Sequence, residues 1–476
     1  MVIIECGTLV RAFSGWLQPT GAAKRAREQQ AHPILCRRWG WAHLRPAMTL
    51  ASQNSIAATV ATTVPVPPST PSLKKRLMAR QSFLSCVLEW LCFWPLVITA
   101  ILASKQEKPI DIGIGPEPLV NNPYHKQALE KYGYTVETFV MGTYFITQDF
   151  DVNLAKKRID VLPAAWRPLA LMFRALWRYK AVMIYFNGGP LFYSNTLAWL
   201  EPWLFKTAGT KVLVLPYGVD VQDMIYTDNL YFRHALDEDY PNHFRQFPAV
   251  RQRIHRWTQQ ADWVFAGVEW VDYLHTWNTL MLGHFSIDPT KWEAIEKVAI
   301  PDEFNSESPL RVFHAPNHKA IKGSSHLIKA IEKLQAEGLP IELVIRQKVP
   351  NEVIRETMAT CHLVADQFVL GWYAMFALEA MAMGRPVLCY LRPDLLKLYE
   401  EAGLIEHDEI PLMNTGLLEI EAQLRWAVAN PTTLQTLATR GPVFIKKHHA
   451  TQAVGAVFSD VLQQLGILPS QQTMAL

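Results

Sequence analysis

Charge is scarce in this chain. Only 19% of its 476 residues are charged, and 46 basic against 43 acidic residues leave a formal net charge of +3. Such a balance offers no field of one sign to attract a polyanion, so composition gives no case for nucleic acid as a partner. Cysteine is also sparse. The six (Cys6, Cys36, Cys86, Cys92, Cys361 and Cys389) form no CxxC and no pair at metal-ligand spacing. That excludes a disulfide scaffold. With no HExxH and no compact cluster of His and acidic residues, no metal is expected either. No GxGxxG follows a strand-like run and GxxxxGK[ST] is missing, which argues against a dinucleotide oxidoreductase and excludes a P-loop ATPase. What is present is apolar: 50% hydrophobic and 11% aromatic residues, with 16 Trp. At roughly 150 residues per domain this supplies cores for about three units, or two large ones and a tail.

Residues 1–73 differ from the rest. They hold seven basic residues and two acids, end in VPVPPSTPS and carry no periodic apolar face. They read as a disordered or poorly ordered leader, with a processed targeting segment or a misassigned start at Met48 or Met78 as the other readings. Segment 74–107 opens KKRLMAR and continues into the 21-residue apolar run 83–103. Its length nearly suits a bilayer and its basic flank would stay in the cytoplasm. Glu89 and Pro95 stand against a span, and a helix in the membrane interface or docked on the body is the other reading beside it.

From Lys108 onward apolar strands alternate with helices. PIDIGIG, TVETFVM, AVMIYFNGG, TKVLVLPYG and ADWVFAG read as strands, and 122–134, 191–207 and 249–260 as helices. Nearly continuous apolar strands mark parallel sheets covered on both faces. After the polar, proline-bearing linker 298–310 the pattern restarts. Strands are expected at 311–316, 341–346, 367–370 and 386–390, helices at 324–337, 350–360 and 374–383, and one long helix at 442–465. The expected fold class is α/β, with two Rossmann-like domains facing across a cleft. Their bounds are 108–297 on the acceptor side and 311–445 on the donor side, and helix 446–468 returns toward the first domain. Ligands in such sheets bind beyond the carboxyl ends of the strands.

Two stretches carry the chemistry. In YAMFALEAMAM (373–383) every side chain but Glu379 is apolar, so the helix is buried and the carboxylate needs a partner. That partner is an internal cation or cap, or a pair of ligand hydroxyls, which a carboxylate's two oxygens match. Gly371 precedes the helix and frees its amides for phosphate. In HAPNHKAIKGSSHLIKAIEKL (314–334) a strand leads through Lys322-Gly323 into a helix for which Ser324 is the natural cap. Lys322 is an ordinary loop lysine or reaches a diphosphate, with Lys319 or His318 helping. Arg346 ends an apolar strand and is a rim contact or merely a loop residue, and Asp366 caps or pairs internally or touches ligand. On the first domain, Gly115 makes a tight strand exit near Glu117, either an ordinary glycine after a strand or a cofactor-binding position where the donor or acceptor approaches closely. Asn187 leads another Gly-rich loop, and Asp220 either contacts an acceptor hydroxyl or makes an Asx turn.

HAPNHKAIKG, GWYAMFALEAMAMGRPVLCY and VFIKKHHATQAVG resemble the retaining glycosyltransferases of the GT-B fold, the glycosyltransferase group 1 (GT4-like) family, over about 310–465. The resemblance implies Lys322 as the donor-diphosphate lysine and Glu379 as the second acid of a Glu-x7-Glu signature that holds the nucleotide ribose. Asn317, His318, Lys319, Gly323, Arg346, Gly371, Trp372, Tyr373 and Ala374 would complete the donor site, with Lys322, Glu379 and Asp220 as the catalytic set. Gly371 stands where the first glutamate belongs, and Trp372 and Ala374 replace the glycines of that turn. The implied activity is sugar transfer, with retention, from a nucleoside diphosphate sugar to a glycan or lipid-linked acceptor, in polysaccharide or glycolipid synthesis. The implied location is the cytoplasm or the cytoplasmic face of a membrane. A sugar-nucleotide epimerase of the same fold, or a non-catalytic nucleotide-sugar binding or assembly protein, are the alternatives.

Overall fold

The computed structural model describes residues 73–143, 149–155, 166–293 and 295–470. The leader up to residue 72 lies outside the described residues. Among the described residues, twelve strands form two parallel sheets. The first comprises β1 (Ile110–Ile114), β2 (Val136–Val140), β3 (Val152–Asn153), β4 (Tyr179–Tyr185), β5 (Lys211–Leu215), β6 (Trp263–Gly267) and β7 (Thr279–Met281). Their order is β3-β2-β1-β4-β5-β6-β7. Ile112 sits beside Val136 on one flank and Ala181 on the other. The order reverses between β1 and β4, so the crevice of this Rossmann-type sheet opens beyond their carboxyl ends.

The second sheet comprises β8 (Leu310–His314), β9 (Ile341–Ile345), β10 (Leu363–Ala365), β11 (Val387–Cys389) and β12 (Met413–Asn414). It is ordered β12-β11-β10-β8-β9 and reverses between β8 and β10. β10 corrects the sequence reading, which placed a strand at 367–370. Those residues form a loop whose carbonyls at Val369 and Leu370 accept from Asn229 Nδ2 (2.8 and 3.3 Å) rather than from a neighbouring strand. The expected helix 191–207 is also shorter. Two 3-10 turns precede the α-helix Glu201–Thr207, because the carboxylate of Glu89 draws the backbone N–H groups of Asn195 and Thr196 out of helical pairing.

The last helix is likewise two. Pro431–His448 ends where Ala450 forms a parallel bridge to Ile287, and Thr451–Gln464 follows. That second helix crosses to the first sheet, where Val454, Phe458 and Leu462 share a core with Ile112, Ile114 and Leu213. Gly455 permits the crossing, since a Cβ there would lie 2.4 Å from the Ala128 carbonyl. Two Rossmann-like domains are thus laced together by the chain's end.

The helix Leu73–Ala103 lies along the first domain against the helices Arg167–Arg178 and Glu201–Thr207. Its stretch Ser85–Ala103 is long and apolar enough to cross a membrane. Glu89, however, is buried and accepts four hydrogen bonds, from the amides and side chains of Asn195 and Thr196 (2.6–3.1 Å). One side of the helix is thus docked on the first domain.

Candidate functional site

At the switch point of the second sheet, β8 delivers His314 and the loop 315–318, while β10 delivers Asp366. His314 is fully buried. Its Nδ1 lies 2.8 Å from the Ala365 carbonyl and its Nε2 2.8 Å from Ser324 Oγ. Burial lowers its pKa to about 4, so the ring is neutral and acts as a tie between β8, β10 and the helix Ser324–Ala336. The hydroxyl of Ser324 is therefore engaged with His314 instead of capping its helix, whose cap position is Gly323. Gly323 has φ +69°, and a Cβ there would sit 2.8 Å from Leu417 Cδ2.

Lys322 ends the short helix Lys319–Lys322 and forms an ion pair with the fully buried Asp366. Its side chain is 13% exposed and its ammonium lies 5.8 Å from the centroid of the Phe376 ring. The other oxygen of Asp366 faces the N–H of Ala374 at 3.4 Å, at the N-cap of the helix Met375–Ala382. Its N-cap residue, Ala374, has no side chain that could cap the amides of the first turn. Its first amides and the Lys322 ammonium thus flank a single buried acid, an arrangement that favours a bound anion.

Glu379 lies one turn further along, 8% exposed. Among the described residues it joins no ion pair. Asn351 hydrogen bonds to it, and Arg355 and Lys322 act on it from a distance. Burial dominates and pushes its pKa up to about 7, with Asp366 adding to the rise. The charge of Glu379 also bears on Tyr124, on the first domain's helix Asn121–Glu130, so the carboxylate lies toward the boundary between the domains.

The other expected donor residues fall into three groups. Asn317, His318, Lys319 and Arg346 are on the exposed rim. His318 is engaged by Tyr240 OH at 3.1 Å, and Arg346 Nη1 donates to its neighbour's carbonyl at 3.1 Å. Trp372 and Tyr373 are fully buried. Trp372 Nε1 donates to the Leu282 carbonyl (3.2 Å) and Tyr373 OH meets His449 Nε2 (2.8 Å), so both side chains hold the domains together and leave only backbone to a ligand. Gly371 has φ +98°, and a Cβ would meet the Arg392 arm at 2.6 Å. Arg392 is fixed by Asp272 of the first domain (2.6 and 3.1 Å) and by Asp394. A glutamate at 371 has no room, which is the physical reason for glycine at that position.

In the first domain Asp220 makes the Asx-type turn rather than an acceptor contact. It is fully buried, and its two oxygens accept from the amides of Phe186 (3.0 Å), Tyr217 (3.0 Å) and Gly218 (2.9 Å). Gly115 is required by its own sheet, since a Cβ there would lie 2.0 Å from the Phe139 carbonyl. The polar groups that do meet at the β1/β4 crevice are Glu117, Asn187, Tyr193 and Tyr217. Glu117 Oε1 accepts from Asn187 Nδ2 (3.0 Å) and Tyr193 OH (2.8 Å), and Asn187 also donates to Tyr217 OH (2.8 Å).

Sequence reading missed the helix Leu230–Asp239, which clasps both loops of the second switch point. Asn229, at its start, holds the 369–370 carbonyls. Asp239, at its end, accepts from the amides of Ala320 (3.1 Å) and Ile321 (3.0 Å). Those two amides are therefore taken by the protein itself. The helix Met375–Ala382, by contrast, opens without a side-chain cap from its N-cap residue.

No family model matches the chain, and no curated protein does. Among solved structures it is similar to sucrose-phosphate synthase from Thermosynechococcus elongatus at 14% identity, over 76% of this chain and 99% of that one, with a TM-score of 0.49. It is also similar to Anabaena HepE in complex with UDP-glucose, at 12% identity over 74% and 99% of the two chains (TM-score 0.46). A third is an alpha-glucosyltransferase in complex with UDP and a 13-mer DNA, at 12% identity over 75% and 100% (TM-score 0.46). The fold itself rests on the strand orders and the returning helix: two Rossmann-like parallel sheets laced by the C-terminus, the GT-B arrangement.

Proposed function

We propose that this protein transfers a sugar from a nucleoside diphosphate sugar to an acceptor hydroxyl, at the cytoplasmic side, in the assembly of a glycan or glycolipid. The observation that carries the reading is Glu379. A buried carboxylate without a cationic partner is costly unless a ligand supplies donors, and vicinal ribose hydroxyls supply two. The diphosphate would then lie toward the amides that open the helix Met375–Ala382, within reach of Lys322. As the bond from the sugar's anomeric carbon to the phosphate oxygen breaks, negative charge grows on the diphosphate. Lys322 and those amides offset it. The anomeric carbon bonds to the acceptor oxygen, whose proton passes to the departing diphosphate oxygen. Asp366 acts as a positioning residue, aiming Lys322 at the helix start. The Glu117, Asn187, Tyr193 and Tyr217 group offers hydrogen bonds to the acceptor across the cleft. Retention at the anomeric carbon is carried over from the resemblance alone.

The test is a thermal-shift panel of nucleotide sugars with different bases, followed by product analysis with the best binder. We expect at least one to raise the melting temperature of the wild type and not of Glu379→Gln. A panel that leaves the wild type unmoved removes the donor site, and the transferase reading with it.

A further inference from the structure

The helix Leu73–Ala103 has two unlike faces. Cys92, Leu96, Ala100 and Ala103 are buried in the first domain's core, and Glu89 is tied to the loop at Asn195 and Thr196. The opposite face presents Phe83, Trp90, Leu91, Trp94, Ile98 and Leu102, with Leu91 70% and Trp94 68% exposed. Their spacing follows one side of a helix. More exposed indoles stand on the neighbouring elements: Trp166 and Trp177 at the two ends of the helix Arg167–Arg178, Trp199 in the tied loop's 3-10 turn and Trp203 on the helix Glu201–Thr207. An apolar face this large on a water-soluble surface calls for a cover.

Two features on the page select that cover. Tryptophan belongs at the headgroup level of a bilayer, where its apolar body and N–H find unlike surroundings. In the sequence, the stretch LKKRLMAR that precedes this face is basic and no acid lies between it and Glu89, a charge pattern that suits anionic headgroups. The helix is linked to the cleft through the loop that its buried Glu89 holds. The loop that Glu89 holds begins at Pro190, and its Tyr193 donates to Glu117 at the β1/β4 crevice. We propose that this face rests in the interfacial layer of an anionic bilayer. The acceptor is then a lipid whose hydroxyl-bearing headgroup enters past the loop 190–200. The acceptor half rests on the transferase reading above; the membrane half does not.

The test is sedimentation of the full-length protein with vesicles of phosphatidylcholine alone and of phosphatidylcholine with phosphatidylglycerol. The wild type should pellet with the anionic vesicles and be released by salt. Leu91→Glu with Trp94→Glu should weaken vesicle binding by about tenfold or more, since two large apolar side chains leave the lipid. The melting temperature and the nucleotide-sugar shift of this double variant should match the wild type. Unchanged vesicle binding by the double variant, or a wild type that stays in solution with every vesicle, overturns the membrane half. So does a wild-type dimer that the double variant converts to monomer, because the face is then covered by a second copy. For the acceptor half, labelled nucleotide sugar is incubated with the protein and vesicles of total bacterial lipid extract. Label in the organic phase supports a lipid acceptor. Intact donor and vesicle binding with label only in the aqueous phase overturns it while the transferase reading stands.

Discussion

Asp220 and Glu379 are buried acids, one per domain, and burial pushes both up to about 7. Their surroundings differ in kind. Asp220 receives three backbone N–H groups from the exits of β4 and β5 and has no exposed surface. Glu379 receives an Asn351 side chain and lies toward the other domain. A raised pKa does not by itself mark a binding group, since burial raises both. What separates a staple from a binding group is whether the carboxylate's lone pairs are already spent inside the protein.

The comparison breaks most readily at Asp220. Asp220→Ala leaves one buried and two half-buried amides without their acceptor, at a cost on the order of 2–4 kcal/mol. We expect a large drop in the denaturation midpoint. Nucleotide-sugar affinity of the fraction that remains folded should be unchanged. A mild stability loss with abolished turnover would instead return Asp220 to the acceptor site.

Gly371→Glu probes the second domain from the opposite side, by adding an acid. The left-handed backbone costs a residue with a Cβ about 1–2 kcal/mol, and crowding the Arg392 arm adds about 1–3 kcal/mol. Arg392 then shifts from Asp272, so the damage should reach the contact between domains. Limited proteolysis should show earlier cleavage as well as a lower melting temperature. A stable variant with tighter donor binding would mean that the Arg392 arm yields.

Glu379→Gln should have the reverse profile of Asp220→Ala. Removing a buried charge that lacks a counter-ion should leave the fold at least as stable as the wild type near neutral pH. Hydrogen bonds from ligand hydroxyls to a charged acceptor are worth about 1.5–3 kcal/mol, so donor affinity should fall roughly tenfold to a hundredfold. Calorimetry on both variants gives the cross-comparison directly.

These contrasts also mark what was legible in the sequence. The strands were, because parallel strands buried on both faces are written as apolar runs such as AVMIYF. Lys322 and Glu379 stood out as polar residues at strand exits or in an apolar helix. The contacts that define their roles did not, because each partner is remote. Asp366 lies 44 residues beyond Lys322, Asp239 reaches amides 81 and 82 residues away, and Asp272 meets Arg392 across 120. Gly371 is the sharpest case. In sequence it reads as a lost acid, and only the Arg392 arm explains it. The strand misplaced at 367–370 had the apolar composition of a strand, but its carbonyls were claimed by Asn229 from the other domain.

The finest test separates the two acids by pH. Each has a folded-state pKa raised above its unfolded value, so the stability tied to each is full below about 4, the ordinary carboxyl range, and is lost as pH rises through about 7. Both therefore give the wild type a stability that declines over that window. Donor binding should run the other way for Glu379 alone, because only the ionised form offers both oxygens as acceptors. A nucleotide sugar, whose diphosphate diester does not titrate there, should bind about tenfold more tightly one pH unit above that midpoint than one unit below it. In Glu379→Gln the affinity should lose this slope while part of the stability slope persists through Asp220. An affinity slope that survives Glu379→Gln would assign the titration to another group and leave Glu379, like Asp220, a structural acid.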